Sequence, residues 1–222
     1  MTWAELRTKC KRQSDYIITM FLTNELSLIL TWVLIKTRLT PNQVTVASII
    51  CGFGCALCYA FGKFLIGSIL LFLSHVLDCT DGNLARAKSN FSTTGKYLDM
   101  FGDRICEACL LAGAAVYFHS VETTDYWVIL SLANAILLLL YYYSVDISLA
   151  LGLSKPVQRL SKMKYKGVQL KWGLLEPFLY GFIVLAPLGL LPLQLVIIGI
   201  LAVVGLAYQA GKLFYSRRNQ AD

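Results

Sequence analysis

Hydrophobic positions along the chain gather into six long blocks, approximately residues 42–61, 64–87, 95–118, 126–149, 172–188 and 191–213. Each is near the roughly 20 residues that a membrane-spanning helix needs. The breaks between them carry Pro41, Gly62, Gly152, Gly167, Pro187 and Pro192, which is ordinary helix punctuation. Only a tight turn separates the last two blocks, so they are expected to form a helical hairpin. Residues 13–38 differ: they are apolar but interrupted by Asn24 and Glu25, with Thr19, Thr23, Ser27 and Thr31 interleaved. That amphipathic pattern predicts a helix lying in the membrane interface. A seventh span there would put the basic N-terminus on the wrong side. The expected architecture is an all-α integral membrane protein with six transmembrane helices. A basic segment and interfacial amphipathic helix occupy residues 1–38, and a six-helix domain occupies 39–222.

Composition agrees with a bilayer as solvent. Hydrophobic residues make up 57% of the chain and charged residues 15%, against roughly 45–50% and about 25% in soluble domains. A water-soluble fold has too little core volume to hide so much apolar surface. The first sixteen residues are polar and mixed in charge, unlike a cleaved secretory signal. Seven cysteines, an odd number and mostly inside apolar runs, argue against a disulfide framework. Cys106 and Cys109 form a C-x-x-C, but two further zinc ligands at compatible spacing are missing. The cysteines therefore read as small packing residues.

Charge placement tests the topology independently. With six spans, the N-terminus, the loop at 88–94, the loop at 150–171 and the C-terminus share one side. Nearly all the lysines and arginines lie there, including Lys9, Lys11, Arg12, Lys88, Lys155, Arg159, Lys162 and Arg217. The opposite side has Lys63 with Glu122 and Asp125. This asymmetry predicts cytoplasmic N- and C-termini. It also accounts for the net charge of +7 without any nucleic-acid partner.

The chemistry concentrates at Asp78-Cys79-Thr80-Asp81-Gly82-Asn83-Leu84-Ala85-Arg86, followed by Gly95, Asp99 and Asp103. Ionisable groups inside spans are costly and functional by default. Asp78 and Asp81 are three residues apart, Asp99 and Asp103 four apart, so each pair shares a helix face. A short loop makes the two helices antiparallel neighbours whose faces can converge at their cytoplasmic ends. Four ionised carboxylates need a compensating cation in low dielectric. All-oxygen ligands suit a hard ion such as Mg²⁺ or Mn²⁺. One or two such ions could bridge a diphosphate and stabilise phosphoryl transfer. Gly82 permits close approach to the backbone, and Arg86 can pair with phosphate.

The spacing D-x2-D-G-x2-A-R-x8-G-x3-D-x3-D resembles the signature of the CDP-alcohol phosphotransferase family. The preceding Leu39-Thr40-Pro41-Asn42-Gln43-Val44-Thr45 is similar to that family's entry into its first membrane helix. The resemblance is densest between Thr40 and Asp103 and includes the six-span layout. It implies that Asp78, Asp81, Asp99 and Asp103 hold metal, with Asp103 touching a second ion and acting as the base for the acceptor hydroxyl. It further implies that Gly82, Arg86 and Ser92 bind the CDP portion together with the turn of Asn42, Gln43, Val44 and Thr45. The implied reaction moves a phosphatidyl or other phosphoalcohol group from a CDP-linked donor, CDP-diacylglycerol foremost, to a hydroxyl acceptor such as inositol phosphate, glycerol phosphate or inositol, releasing CMP in phospholipid synthesis. Two alternatives stand beside it: a small head group passing from a CDP-choline-type donor to a lipid or polyol, and an ion transporter. A transporter predicts carboxylates near the bilayer midplane, whereas these lie near helix ends.

Residues outside the signature have two readings each. Asp146, taken as buried in the fourth span, lines an acceptor pocket or pairs with a basic neighbour. Arg159 binds an acceptor phosphate or belongs to a solvated basic run attracted to anionic lipid. Glu107 supports the carboxylates or pairs with Arg104, and His75 packs with a satisfied hydrogen bond or joins the site. Gly52, Gly54, Cys55 and Ala56 permit close helix packing, within the chain or in a homodimer.

Overall fold

The computed structural model describes residues 1–12, 14–150, 152, 164–165, 168–171 and 173–218. Helices dominate: α1 (Trp3–Lys9), α2 (Asn24–Leu34), α3 (Pro41–Ala60), α4 (Phe64–Lys88), α5 (Thr93–Val121), α6 (Tyr126–Ala150), α7 (Leu175–Leu185) and α8 (Leu191–Arg218). Five of them, α3, α4, α5, α6 and α8, are long and apolar enough to cross a membrane. Their outward faces carry exposed Ile50, Leu57, Ile69, Ile129 and Ile200, a surface that only lipid solvates favourably.

Helix starts follow local chemistry. Thr40 caps α3 in a capping box with Gln43, and Pro41 occupies the first turn, where its missing N–H costs nothing. Ser92 caps α5 by accepting the Gly95 N–H at 2.9 Å. Between them α4 ends at Ser89 in the left-handed region (φ 51°), and the Asn90 N–H returns to the Ala85 carbonyl at 2.9 Å. This stop turns the chain back in four residues; α3 packs against both α4 and α5, which come together only near their signature ends.

The core lies where α5, α6, α7 and α8 meet, around Leu110, Leu111, Phe178, Phe182, Leu195 and Ile198. Tyr59 of α3 closes it, donating to the Phe182 carbonyl at 2.7 Å. The small residues of α3 serve packing inside the chain. A Cβ on Gly52 would meet Cys106 Sγ at 2.5 Å, and one on Gly113 would meet the Ala56 carbonyl oxygen at 2.3 Å. Gly52 and Ala56 are thus used by the α3–α5 contact within the chain.

Three expectations are revised. The protein is mostly helical, not wholly so: β1 (Ser14–Tyr16) pairs in parallel with β3 (Val168–Lys171), which pairs antiparallel with β2 (Lys164–Tyr165). β1 and β3 lie far apart in sequence, and local periodicity carries no trace of their pairing. The block at 172–188 contains α7, whose eleven residues span only about 16 Å at 1.5 Å per residue. The 13–38 segment is divided into β1, a π-helical turn (Thr19–Thr23) and α2. Thr19, Thr23, Ser27 and Thr31, four residues apart, are all buried, whereas Leu26, Ile29 and Val33 are exposed. This polarity, hydroxyls inward and aliphatic groups outward, inverts that of a helix resting on a soluble domain.

Candidate metal centre and flanking cavities

The carboxylates sit where the C-terminal half of α4 meets the start of α5. One carboxylate oxygen from each of Asp78, Asp99 and Asp103 lies within 4.8 Å of the other two, and all three side chains are half-buried. Asp81 stands apart from this group. A three-residue step leaves it rotated by about 60° from Asp78 around the helix, toward α3. There the Thr45 hydroxyl donates a hydrogen bond to it, and it is 6% exposed. The four-carboxylate cluster expected from spacing is therefore three converging groups plus one held by Thr45, with Asp99 bordering both.

Neighbours hold these groups from the other side. His75 Nδ1 is 4.0 Å from Asp78, and its Nε2 is 3.3 Å from the Thr19 hydroxyl. Arg104 donates to Glu107 at 2.7 Å, approaches Asp103 at 3.8 Å, and lies over the Tyr142 ring at 3.5 Å. Glu107 is thus the ion-pair partner of Arg104.

A cavity of ≈ 310 Å³ opens between α3, α4 and α5, lined by Asn42, Thr45, Asp81, Gly82, Arg86, Ser92 and Asp99 among others. Five of the seven residues expected around a CDP group are here. Gln43 and Val44 are not. The Gln43 side chain accepts the Thr40 N–H at 2.9 Å in the helix cap, and Val44 is buried at 4% exposure. Adjacent positions on a helix point 100° apart, so a four-residue run cannot present every member to one cavity. The two signature glycines differ in purpose. A Cβ on Gly95 would meet Asn42 Oδ1 at 2.5 Å, so this glycine lets α5 start against α3. A Cβ on Gly82 would meet nothing closer than Arg86 Nη2 at 3.5 Å, so its open side faces the cavity.

Besides a small cavity of ≈ 60 Å³ at His75, Asp78, Asp103 and Glu107, two large cavities border the carboxylates. One of ≈ 330 Å³ between α5 and α6 is lined by Asp103, Arg104, Tyr142 and Asp146. Asp146 is exposed, not buried, because it lies on an open face of α6; Ser148, nearer the end of the same helix, is buried. The other, of ≈ 540 Å³, lies between α4 and the N-terminal segment, with Arg12, Thr19, His75, Asp78 and Arg86 in its wall. Sequence reasoning missed Arg12 and Thr19 here. Arg12 was counted as a topological charge and Thr19 as part of an amphipathic stripe; neither has a local signal for this role. Arg159 lies outside the described residues.

Comparison with known proteins follows from this geometry. A family model described as CDP-alcohol phosphatidyltransferase matches residues 38–208. The chain is 36% identical over 107 residues to the bifunctional IPC transferase and DIPP synthase of Thermococcus kodakarensis, covering 48% of this chain and 24% of that protein. It is 30% identical over 101 residues to the phosphatidylinositol phosphate synthase of Cutibacterium acnes, covering 45% and 49%. These matches span half or less of the relatives' own length. Among solved structures, the Mycobacterium tuberculosis phosphatidylinositol phosphate synthase in complex with manganese and citrate superposes with a TM-score of 0.67 at 19% identity, over 85% of this chain and 88% of that one. The same protein with CDP-DAG bound gives 0.66 at 19% identity, over 87% and 94%. At such identity the likeness is one of fold. The signature, the helical hairpin that carries it and the family match together assign this membrane protein to the CDP-alcohol phosphatidyltransferase family.

Proposed function

We propose that the protein transfers a phosphatidyl group from CDP-diacylglycerol to a hydroxyl of a small alcohol and releases CMP. The observation that carries this reading is the convergence of Asp78, Asp99 and Asp103 beside a cavity that also holds Gly82 and Arg86. The donor set is all oxygen, which fits Mg²⁺ or Mn²⁺. Asp78, Asp99 and Asp103 would hold one ion, and Asp81 with Asp99 would contribute to a second. When bound, such ions neutralise charge on the transferred phosphoryl group and its leaving group.

The chain's own residues do the rest. Arg86 pairs with the diphosphate, and the bare backbone at Gly82 leaves room for it. Asn42, Thr45 and Ser92 offer polar contacts to the cytidine end, while the acyl chains stay in lipid. Asp103 borders the α5–α6 cavity as well as the carboxylate group, and it takes the proton of the acceptor hydroxyl. The acceptor oxygen bonds to the phosphorus that carries the diacylglycerol oxygen, and the bond to CMP breaks. No covalent protein intermediate is required.

In this reading α7 and its flanks make a sixth crossing, and residues 39–222 form the transferase body with 1–38 as an accessory segment. Basic residues gather beside the carboxylates, which argues for cytoplasmic termini and a catalytic face toward the cytoplasm. The aliphatic face of α2, with Leu26, Ile29 and Val33, would rest in the interface.

CMP release by purified protein in detergent, with Mg²⁺ or Mn²⁺, CDP-diacylglycerol and a panel of alcohols, tests the proposal. Release should depend on the acceptor and fall on the order of 10³-fold in Asp103→Asn. Absence of release in wild-type protein that still binds CDP-diacylglycerol would sink it.

A further inference from the structure

Arg86 stands between two cavities. It lines the nucleotide cavity with Gly82 and Ser92, and it also lines the ≈ 540 Å³ cavity at the N-terminal segment with Arg12 and Asp15. An arginine side chain has several rotatable bonds, so its place on the helix does not decide which space the guanidinium serves. Among the described residues a single hydrogen bond holds it: Nη2 donates to Asn83 Oδ1 at 2.7 Å. The Arg86 Nε is buried without a partner, which leaves the rest of the planar fork for a ligand. Asn83 lies about one turn earlier on α4, where side chains three apart meet. The signature spacing leaves its position open.

Asn83 is itself held. It is 0% exposed, and its Nδ2 donates to Ser27 Oγ of α2 at 2.8 Å. The Ser27 hydroxyl donates in turn to the Asn24 carbonyl at 2.8 Å. A guanidinium only donates, and the Ser27 proton is already taken, so the chain from Arg86 through Asn83 and Ser27 to Asn24 runs in one direction. Reversing the amide would set its NH₂ against Arg86 and its oxygen against a hydroxyl with no proton to give. Cys10 adds a clasp, its thiol donating to the Asn83 carbonyl at 3.3 Å. Asn83 is thus fixed in place and in orientation before any ligand arrives, which is the condition for it to orient Arg86.

This arrangement also gives the buried hydroxyls of the N-terminal segment a task. Thr19, Thr23, Ser27 and Thr31 face inward, and two of them reach the signature helix from behind. Thr19 meets His75, whose other ring nitrogen faces Asp78, and Ser27 meets Asn83, whose oxygen faces Arg86. A polar pair that served only to pack α2 on α4 could be replaced by apolar groups of the same shape at little cost.

We propose that Asn83 is a positioning residue for donor binding: anchored by Ser27, it aims Arg86 at the diphosphate of the CDP-linked donor and away from the N-terminal cavity. The inference rests on the transferase reading above and adds to its donor site two residues that the signature does not contain.

The test measures calorimetric binding of CDP with Mg²⁺, and CMP release from CDP-diacylglycerol, in wild type, Asn83→Leu, Ser27→Ala, Arg86→Gln and the double variant Asn83→Leu with Arg86→Gln. Leucine is close to asparagine in size, and thermal unfolding in detergent identifies the folded variants. CDP affinity and donor KM should worsen about tenfold in Asn83→Leu and roughly threefold in Ser27→Ala, with the acceptor KM held within about twofold. In the Arg86→Gln background Asn83→Leu should add less than about twofold, because a residue that acts through another is not additive with it. Unchanged CDP affinity in folded Asn83→Leu overturns the inference while the transfer reaction stands. So does a loss that persists in full without Arg86, or one that falls equally on the acceptor KM. If Asn83→Leu does not fold, Ser27→Ala decides, and CDP affinity equal to wild type there overturns the inference. An Arg86-dependent effect of Asn83 on CDP binding, in protein that releases no CMP with any acceptor, keeps the positioning role and overturns the transfer.

Discussion

Buried polar groups have different neighbours in two regions of this molecule. Around α7 and α8 neutral amide groups donate to backbone carbonyls. Asn134 donates to the Leu195 carbonyl at 2.8 Å, although its own Oδ1 has no hydrogen-bond partner, and Gln194 donates to the Pro177 and Phe178 carbonyls at 3.0 and 3.3 Å. Fully buried Phe178, Phe182, Leu195 and Ile198 surround them. Where α4 meets α5, Asp78, Asp99 and Asp103 face one another, and Arg12 and Arg86 keep unpartnered nitrogens. Like charges brought together in low dielectric raise the energy of the protein alone. The first region uses polarity to lock helices in place. The second stores polarity for something the chain does not itself contain.

The contrast can be broken most severely at Asp78. Replacing it by Asn removes one of the three facing charges and should cut CMP release on the order of 10³-fold. Thermal unfolding in detergent should show no loss of stability, because a repulsion has been relieved. A large drop in melting temperature would mean that the carboxylates hold the fold together. Gly113→Ala addresses structure instead. The new Cβ would press on the Ala56 backbone at 2.3 Å, which cannot rotate away, so α3 and α5 must separate at about 1–3 kcal/mol. Unfolding should move markedly, while the acceptor preference of the remaining folded enzyme should not.

Gly82→Ala sharpens the comparison with a smaller effect. Its methyl has room in the free protein, with Arg86 Nη2 at 3.5 Å as its nearest neighbour. Stability should hold or rise by up to about 1 kcal/mol, the usual gain of Ala over Gly in a helix. The donor KM should nevertheless rise roughly tenfold, since about 1.4 kcal/mol of crowding against a bound diphosphate is enough. An unchanged donor KM would show that nothing bulky approaches this backbone.

Much of the architecture could be read from runs and punctuation. Thr40-Pro41 marks the start of α3, and the apolar blocks through residue 149 coincide closely with α3 to α6. The aspartate spacing placed Asp78, Asp99 and Asp103 on helix faces able to meet. What escaped was rotation and distance. The turn of Asp81 toward Thr45 depends on how α3 packs on α4, and Gln43 and Val44 were drawn into the cap and the core by the same phase. Asp146 looked buried because its neighbours in sequence are apolar, yet it lies on an open face of α6. Arg12 gave no hint of its neighbourhood, since the Cys79 carbonyl it meets is 67 positions away in sequence.

The sequence by itself determined the membrane solvent, the order of the long helices and the carboxylates on two adjoining ones. Hydrophobic run length, capping residues and three- or four-residue spacing are local properties, and the backbone reads them within a turn or two. Only the tertiary structure decided which carboxylates converge, which side of α4 faces the nucleotide cavity, and that the N-terminal segment roofs a second, basic cavity. Those outcomes depend on helix phase and on contacts between residues more than 150 positions apart, such as Ile18 with Glu176. They are set by packing between elements, which no short stretch of sequence encodes.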